Sequence, residues 1–245
     1  MLDLFRWETA AFWKSRKGAT LLIVTLVLAA AFVAISFANE VDSGVIALSD
    51  GVGFFSSLMV FFVPIYAGLV VAQSFEDRLI QAAVTSGQTR LSIVAVKTLF
   101  FMLVSFTFLA LGTLISTLVV TAIHGWGAAD LGISSGEIIG QILALILLTV
   151  IAYTIVVPLV FYTKKVGTSI GVGFVVSLVL YSLTQEAMKR ESLHPLLKAT
   201  PLGRSFFISG EAGAGFWIAT IAVGVLWVAA YILAAHLLFR NQELK

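Results

Sequence analysis

The chain has 245 residues, 60% hydrophobic and only 11% charged, against about 25% charged in a soluble domain. A water-soluble fold of this size could not hide so much apolar surface, whereas lipid solvates it. The net charge of +2 gives no pull toward nucleic acid, and the lack of cysteine excludes disulfides, thiolate catalysis and cysteine zinc sites.

The N-terminal segment, 1–17, predicts an interfacial helix. Leu2, Phe5, Thr9, Phe12 and Trp13 fall on one stripe, while Asp3, Arg6, Lys14 and Lys17 fall on another. That pattern suits aromatics toward lipid and cations toward headgroups; a basic flank that only sets orientation is the plainer reading. The first apolar run follows Lys14, Arg16 and Lys17. It is long enough to span and has no clear small-residue cleavage site, so it reads as a span and not as a leader.

A helix needs about 20 mostly apolar residues to cross the hydrocarbon core. Six segments qualify, at 19–38, 52–73, 98–122, 137–161, 166–184 and 215–238, with charges only near their ends. The expected fold is therefore an all-α membrane protein of six transmembrane helices in one domain. With the N-terminus placed inside, eleven Lys and Arg fall inside, from Arg6 to Lys245. Four, namely Lys189, Arg190, Lys198 and Arg204, fall outside. That bias predicts a multi-pass protein with both termini cytoplasmic. Lys97, at the base of the third span, is expected to snorkel to the interface.

Between spans two and three, 74–90 predicts a short cytoplasmic helix. Phe75, Leu79, Ile80, Ala83 and Val84 share one face, and Asp77, Arg78, Gln81 and Thr85 the other. Glu76 falls inside the apolar arc and needs a partner, for which Arg90 or an N-terminal lysine is the expected cation. Gly87 can end this helix. Pro64 and Pro158 lie inside spans two and four and predict kinks, which either shape the helices or serve a gate.

Gly167-Thr168-Ser169-Ile170-Gly171 matches the letters of a nucleophile elbow. It opens a hydrophobic span, however, and Gly167 and Gly171 four apart point to close helix packing. His124, His194 and His236 lack metal-ligand spacing, and no phosphate-binding G-x-x-x-x-G-K-[ST] loop is present. No catalytic residue, metal site or cofactor of its own is therefore expected. Outside the spans, 185–214 predicts an excursion with a short helix over Ala187–Lys198, broken near Pro195 and Pro201. Leu196, Leu197, Phe206 and Phe207 make it too apolar for a solvated loop.

The stretch SFEDRLIQAAVTSGQTRLSIVAVK, residues 74–97, resembles the type-2 family of ATP-binding-cassette (ABC) transporter permeases. Glu76, Gly87, Arg90 and Lys97 occupy the places of the family's acidic residue, glycine, arginine and lysine. Gln81 and Ala82 stand where the family has a small-residue pair. The interfacial helix, six spans and outer excursion extend the likeness over nearly the whole chain. The resemblance implies one half of an exporter's transmembrane pathway in the plasma membrane of a prokaryote. It implies a second permease chain, identical or paralogous, and separate ABC ATPase subunits that bind ATP and Mg2+. Glu76, Asp77, Arg78, Gln81, Thr85, Gly87 and Arg90 would form the docking and coupling helix. A peptide, drug or other amphipathic substrate fits members of this size. Readings from other classes are an ATP-independent channel or secondary carrier, an intramembrane enzyme with Ser169 as nucleophile, and a membrane anchor for a signalling complex.

Overall fold

The computed structural model describes residues 2–127, 134–208 and 214–240. Parts of the connections at 123–136 and 185–214, and Lys245, lie outside the described residues. The described residues form twelve α-helices, and no strand occurs among them. Six helical stretches are long and apolar enough to cross a membrane: Arg16–Ala38, Gly44–Glu76, Arg90–His124, Ser135–Thr163, Val166–Met188 and Ala214–Arg240. The chain is an all-α, multi-pass membrane protein, as the apolar runs predict.

Helix α1 (Leu2–Lys14) turns at Ser15 into α2 (Arg16–Ala38), the first span. Span two is α3 (Gly44–Ala67), a π-helical turn at Gly68–Ala72, and α4 (Gln73–Glu76). Helix α5 (Leu79–Thr85) leads to α6 (Arg90–His124), the third span. Span four is α7 (Ser135–Tyr153) and α8 (Val156–Thr163), and span five is α9 (Val166–Met188). Short helices α10 (His194–Leu197) and α11 (Pro201–Ser205) precede α12 (Ala214–Arg240), the sixth span.

Both span prolines coincide with breaks in regular winding. Pro64 sits one turn before the π-helical Gly68–Ala72. Pro158 cannot donate to Thr154, and α7 gives way to α8 there; Val157 N bonds Thr154 O at 2.9 Å instead.

Helix α3 packs at the centre, between α6 and α9, and an aromatic column fills its contact with α6. Phe62 stacks on Phe108 at 3.9 Å and on Tyr66 at 4.3 Å, and Phe108 meets Phe55 edge-on at 5.7 Å. In lipid, apolar area alone does not favour helix association, so such close packing must hold the bundle. Spans one, five and six are the least buried within the chain.

The connection between spans five and six differs from the sequence expectation. No helix runs over Ala187–Lys198. Span five continues to Met188, and Pro195 and Pro201 start α10 and α11 where breaks were expected. Proline suits a first helical turn, where its missing N–H has no partner to lose. Helix α11 is buried along its whole length and packs against α7.

Candidate functional site

The end of the bundle that carries α1, α4 and α5 gathers most of the charged residues that the sequence singles out. Its centre is a buried ion pair. Lys97 Nζ lies 2.6 Å from Glu8 Oε1 of α1 and donates to Ser74 Oγ of α4 at 2.7 Å. Ser74 in turn donates to Val70 O in the π turn. Lys17 Nζ, at the start of α2, donates to Leu69 O in the same turn at 2.8 Å. The ammonium groups thus hold α1, α2, α4 and α6 together around the irregular stretch of span two. A π turn offsets backbone carbonyls from their usual helical partners, which makes them available to such donors.

The snorkelling expected for Lys97 is therefore wrong: the residue is 3% exposed. It lies seven residues into α6, about 10 Å along the axis, and α1 covers it. Helix α1 itself turns part of its aromatic face inward. Phe12 packs edge-on against Phe100 of α6 at 5.5 Å, with Phe5 at 6.4 Å from the same ring, while Trp7 stays exposed. The expectation that the aromatics all face lipid does not hold, because Phe100 offers them a protein surface.

The 74–90 segment is not one helix. It breaks at Arg78, which takes a left-handed φ of 56° between α4 and α5. A non-glycine residue there costs about 1–3 kcal/mol and persists only where its surroundings demand it. Buried anchors on both sides make that demand. Phe75 meets Phe161 at 5.4 Å and Phe239 at 5.9 Å, both edge-on, and Ile80 is 1% exposed. Helix α5 ends as expected at Gly87, whose φ of 89° favours glycine. Gln88 N bonds Ala83 O and Gly87 N bonds Val84 O, which together make a Schellman closure.

Glu76 and Arg90 do not meet as a pair. Glu76 is exposed, and its Oε1 accepts from Val166 N at 2.8 Å, capping the start of α9. A helix N-terminus carries unsatisfied N–H groups and partial positive charge, so it attracts a carboxylate as a cation would. Arg90 donates to the carbonyls of Phe239 and Arg240 and lies 5.3 Å over the Phe239 ring, closing the C-terminus of α12. Lys164, left-handed at the end of α8, is held below the usual lysine range by burial and then by the Arg90 charge.

Asp77, Arg78 and Thr85 face outward, and exposed Leu79 and Ala82 lie between them. Gln81 does not join them fully, because its amide oxygen is buried without a partner. A cavity of about 410 Å³ separates α5 from α1 and α6; Trp7, Glu8, Ala83, Ser86 and Lys97 are among its walls.

The glycine pair expected to pack helices does not do so within the chain. A Cβ at Gly167 or Gly171 would meet nothing within 4 Å. Around α9 the close approaches belong to Gly173, where a Cβ would lie 2.9 Å from Val156, and to Gly68, where it would lie 2.7 Å from Ile170. Ser169 is buried in the helical run of α9, 2.6 Å from the Thr163 hydroxyl. It sits on no strand-to-helix turn, and its hydroxyl partner is a threonine.

Sequence reasoning missed Glu8 altogether, although a carboxylate in the middle of the first helix of a chain so poor in charge was a usable signal. No protein-family model matches the chain, and no curated protein matches it.

Proposed function

We propose that this chain is the membrane-spanning permease subunit of an ABC exporter. Two such chains, identical or paralogous, form the pathway, and separate ATPase subunits drive it. Helix α1 is then the interfacial helix, and α4–α5 form the coupling element on the cytoplasmic side, where both termini lie. The membrane is the plasma membrane of a prokaryote, and the cargo is a peptide, drug or other amphipathic molecule. ATP and Mg2+ belong to the partner ATPase.

One observation carries this reading. The 73–90 segment exposes Asp77, Arg78, Leu79, Ala82 and Thr85 at one end of the bundle. Phe75 is packed among Phe161 and Phe239, Glu76 caps α9, and Arg90 closes α12. A push on the exposed face is thus delivered to spans four, five and six through short, directional contacts. A segment that merely rested on lipid would gain nothing from three separate ties to distant spans. The breaks beside Pro64 and Pro158 give spans two and four places to bend in response.

Co-purification tests the reading. Arg78→Glu and Thr85→Trp change exposed residues that do not line the cavity beside α1, so membrane insertion should be normal while ATPase retention and transport fall. Wild-type ATPase retention and transport in both variants would defeat the proposal.

A further inference from the structure

Helix α5 is held firmly at both ends and loosely in between. Phe75 and Glu76 fix the chain before it; Thr89, which caps α6, and Arg90 fix the chain after it. Arg78 and Gly87, which join α5 to these anchors, both take positive φ, at 56° and 89°. Of its seven residues only Ile80 is buried. A short helix with one buried side chain between two sharp turns can pivot without unwinding, because the turns absorb the change in φ and ψ.

There is room for such a pivot. The cavity of about 410 Å³ lies between α5, α1 and the start of α6. A second, of about 180 Å³, shares Trp7, Glu8 and Leu79 with it. Trp7 of α1 is 54% exposed and Leu79 of α5 is 43% exposed. Neither helix belongs to a membrane-spanning stretch, so water reaches the gap and its apolar walls gain by meeting. Helix α1 is the fixed wall, because the Glu8–Lys97 pair and the Phe100 ring hold it.

Two features of α5 cost free energy where it stands. Arg78 keeps a left-handed backbone that suits glycine. The amide oxygen of Gln81 is buried without a hydrogen-bond partner. A second position that relieves both, and brings Leu79 against Trp7, offsets the loss of the present seat of Ile80.

We propose that α5 is a strap with two positions. In the second it pivots about Arg78 and Gly87 into the cavity. Arg78 leaves the left-handed region, the Gln81 amide reaches water, and Leu79 packs on Trp7 over the Glu8–Lys97 pair. The N-terminal helix thereby registers where α5 stands. As the stroke of a coupling element the device rests on the exporter reading; as an equilibrium within the chain it does not.

The test uses the full purified chain in nanodiscs, without any ATPase, so its outcome is separate from that of co-purification. Ser86→Cys supplies the sole cysteine and carries a bimane label. Ser86 and Trp7 wall the same cavity, and tryptophan quenches bimane only near contact. The fluorescence decay should show two lifetimes, and Trp7→Phe should remove the shorter one. Arg78→Gly relieves the left-handed backbone of the present position, and Gln81→Leu removes its orphan amide. Each should lower the ratio of short-lived to long-lived population by about fivefold. A single lifetime, or two that Trp7→Phe leaves unchanged, overturns the proposal. So does a short-lived population that neither Arg78→Gly nor Gln81→Leu lowers.

Discussion

Glu8 and Lys97, 89 positions apart in sequence, form a 2.6 Å ion pair at the base of the bundle, and the serine hydroxyl of span two completes it. The pair fastens the N-terminal helix over the start of span three, beside the turn to which Lys17 is also bonded. A carboxylate on α1 is thus the counter-charge that allows a lysine to sit so deep.

Breaking this pair on one side leaves an uncompensated buried charge. Lys97→Met or Glu8→Leu alone should cost about 3–5 kcal/mol, while the double change should cost far less, because neither charge is then stranded. Thermal unfolding of the purified protein in detergent, followed by tryptophan fluorescence, gives the cycle. Additive losses would show that the two side chains act independently.

Glu76→Ala should cost about 0.5–2 kcal/mol, the range for losing a helix cap, and not the larger penalty of stranding a buried charge. The residue is exposed, so water can solvate what remains. Glu76→Gln retains an acceptor oxygen and should recover part of the loss. The same unfolding assay checks this; a loss of about 3 kcal/mol or more would place Glu76 in a buried ionic role.

Gly173→Leu and Gly171→Leu should behave differently although the positions are two apart. At Gly173 the new side chain meets Val156 and Pro64, and overpacking of this kind costs about 1–3 kcal/mol. At Gly171 it points away from the chain and should leave the stability of the single chain unchanged. Cross-linking in membranes would then reveal whether Gly171 meets a second copy of the chain, since a leucine there would weaken only that contact.

The spans were legible because length and hydropathy suffice: an apolar run of about 20 residues has few alternatives to crossing lipid. The Gly87 terminator was legible for a local reason, its freedom to take positive φ. Long-range pairings were not. The partner of Glu76 is a backbone N–H 90 residues away, and backbone donors leave no mark in a residue pattern. The break at Arg78 was hidden because neither glycine nor asparagine marks it; packing of Phe75 and Ile80 imposes it from outside. The glycine register in span five was read one face off, since Gly167, Gly171 and Gly173 all offer small residues and only tertiary contact selects among them. The outward-facing residues of 74–90 were read from one helical wheel drawn through a segment that is really two helices, so the partial burial of Gln81 was not foreseen.

The central claim is that α5 presents its outer face to a separate ATPase. Photocrosslinking from a single cysteine at Thr85, in this otherwise cysteine-free chain, tests it most directly. Native membranes carrying the probe should yield an adduct with a P-loop ATPase, and Arg78→Glu in the same chain should reduce it. Adducts with lipid alone, in membranes where the chain still transports, would contradict the account.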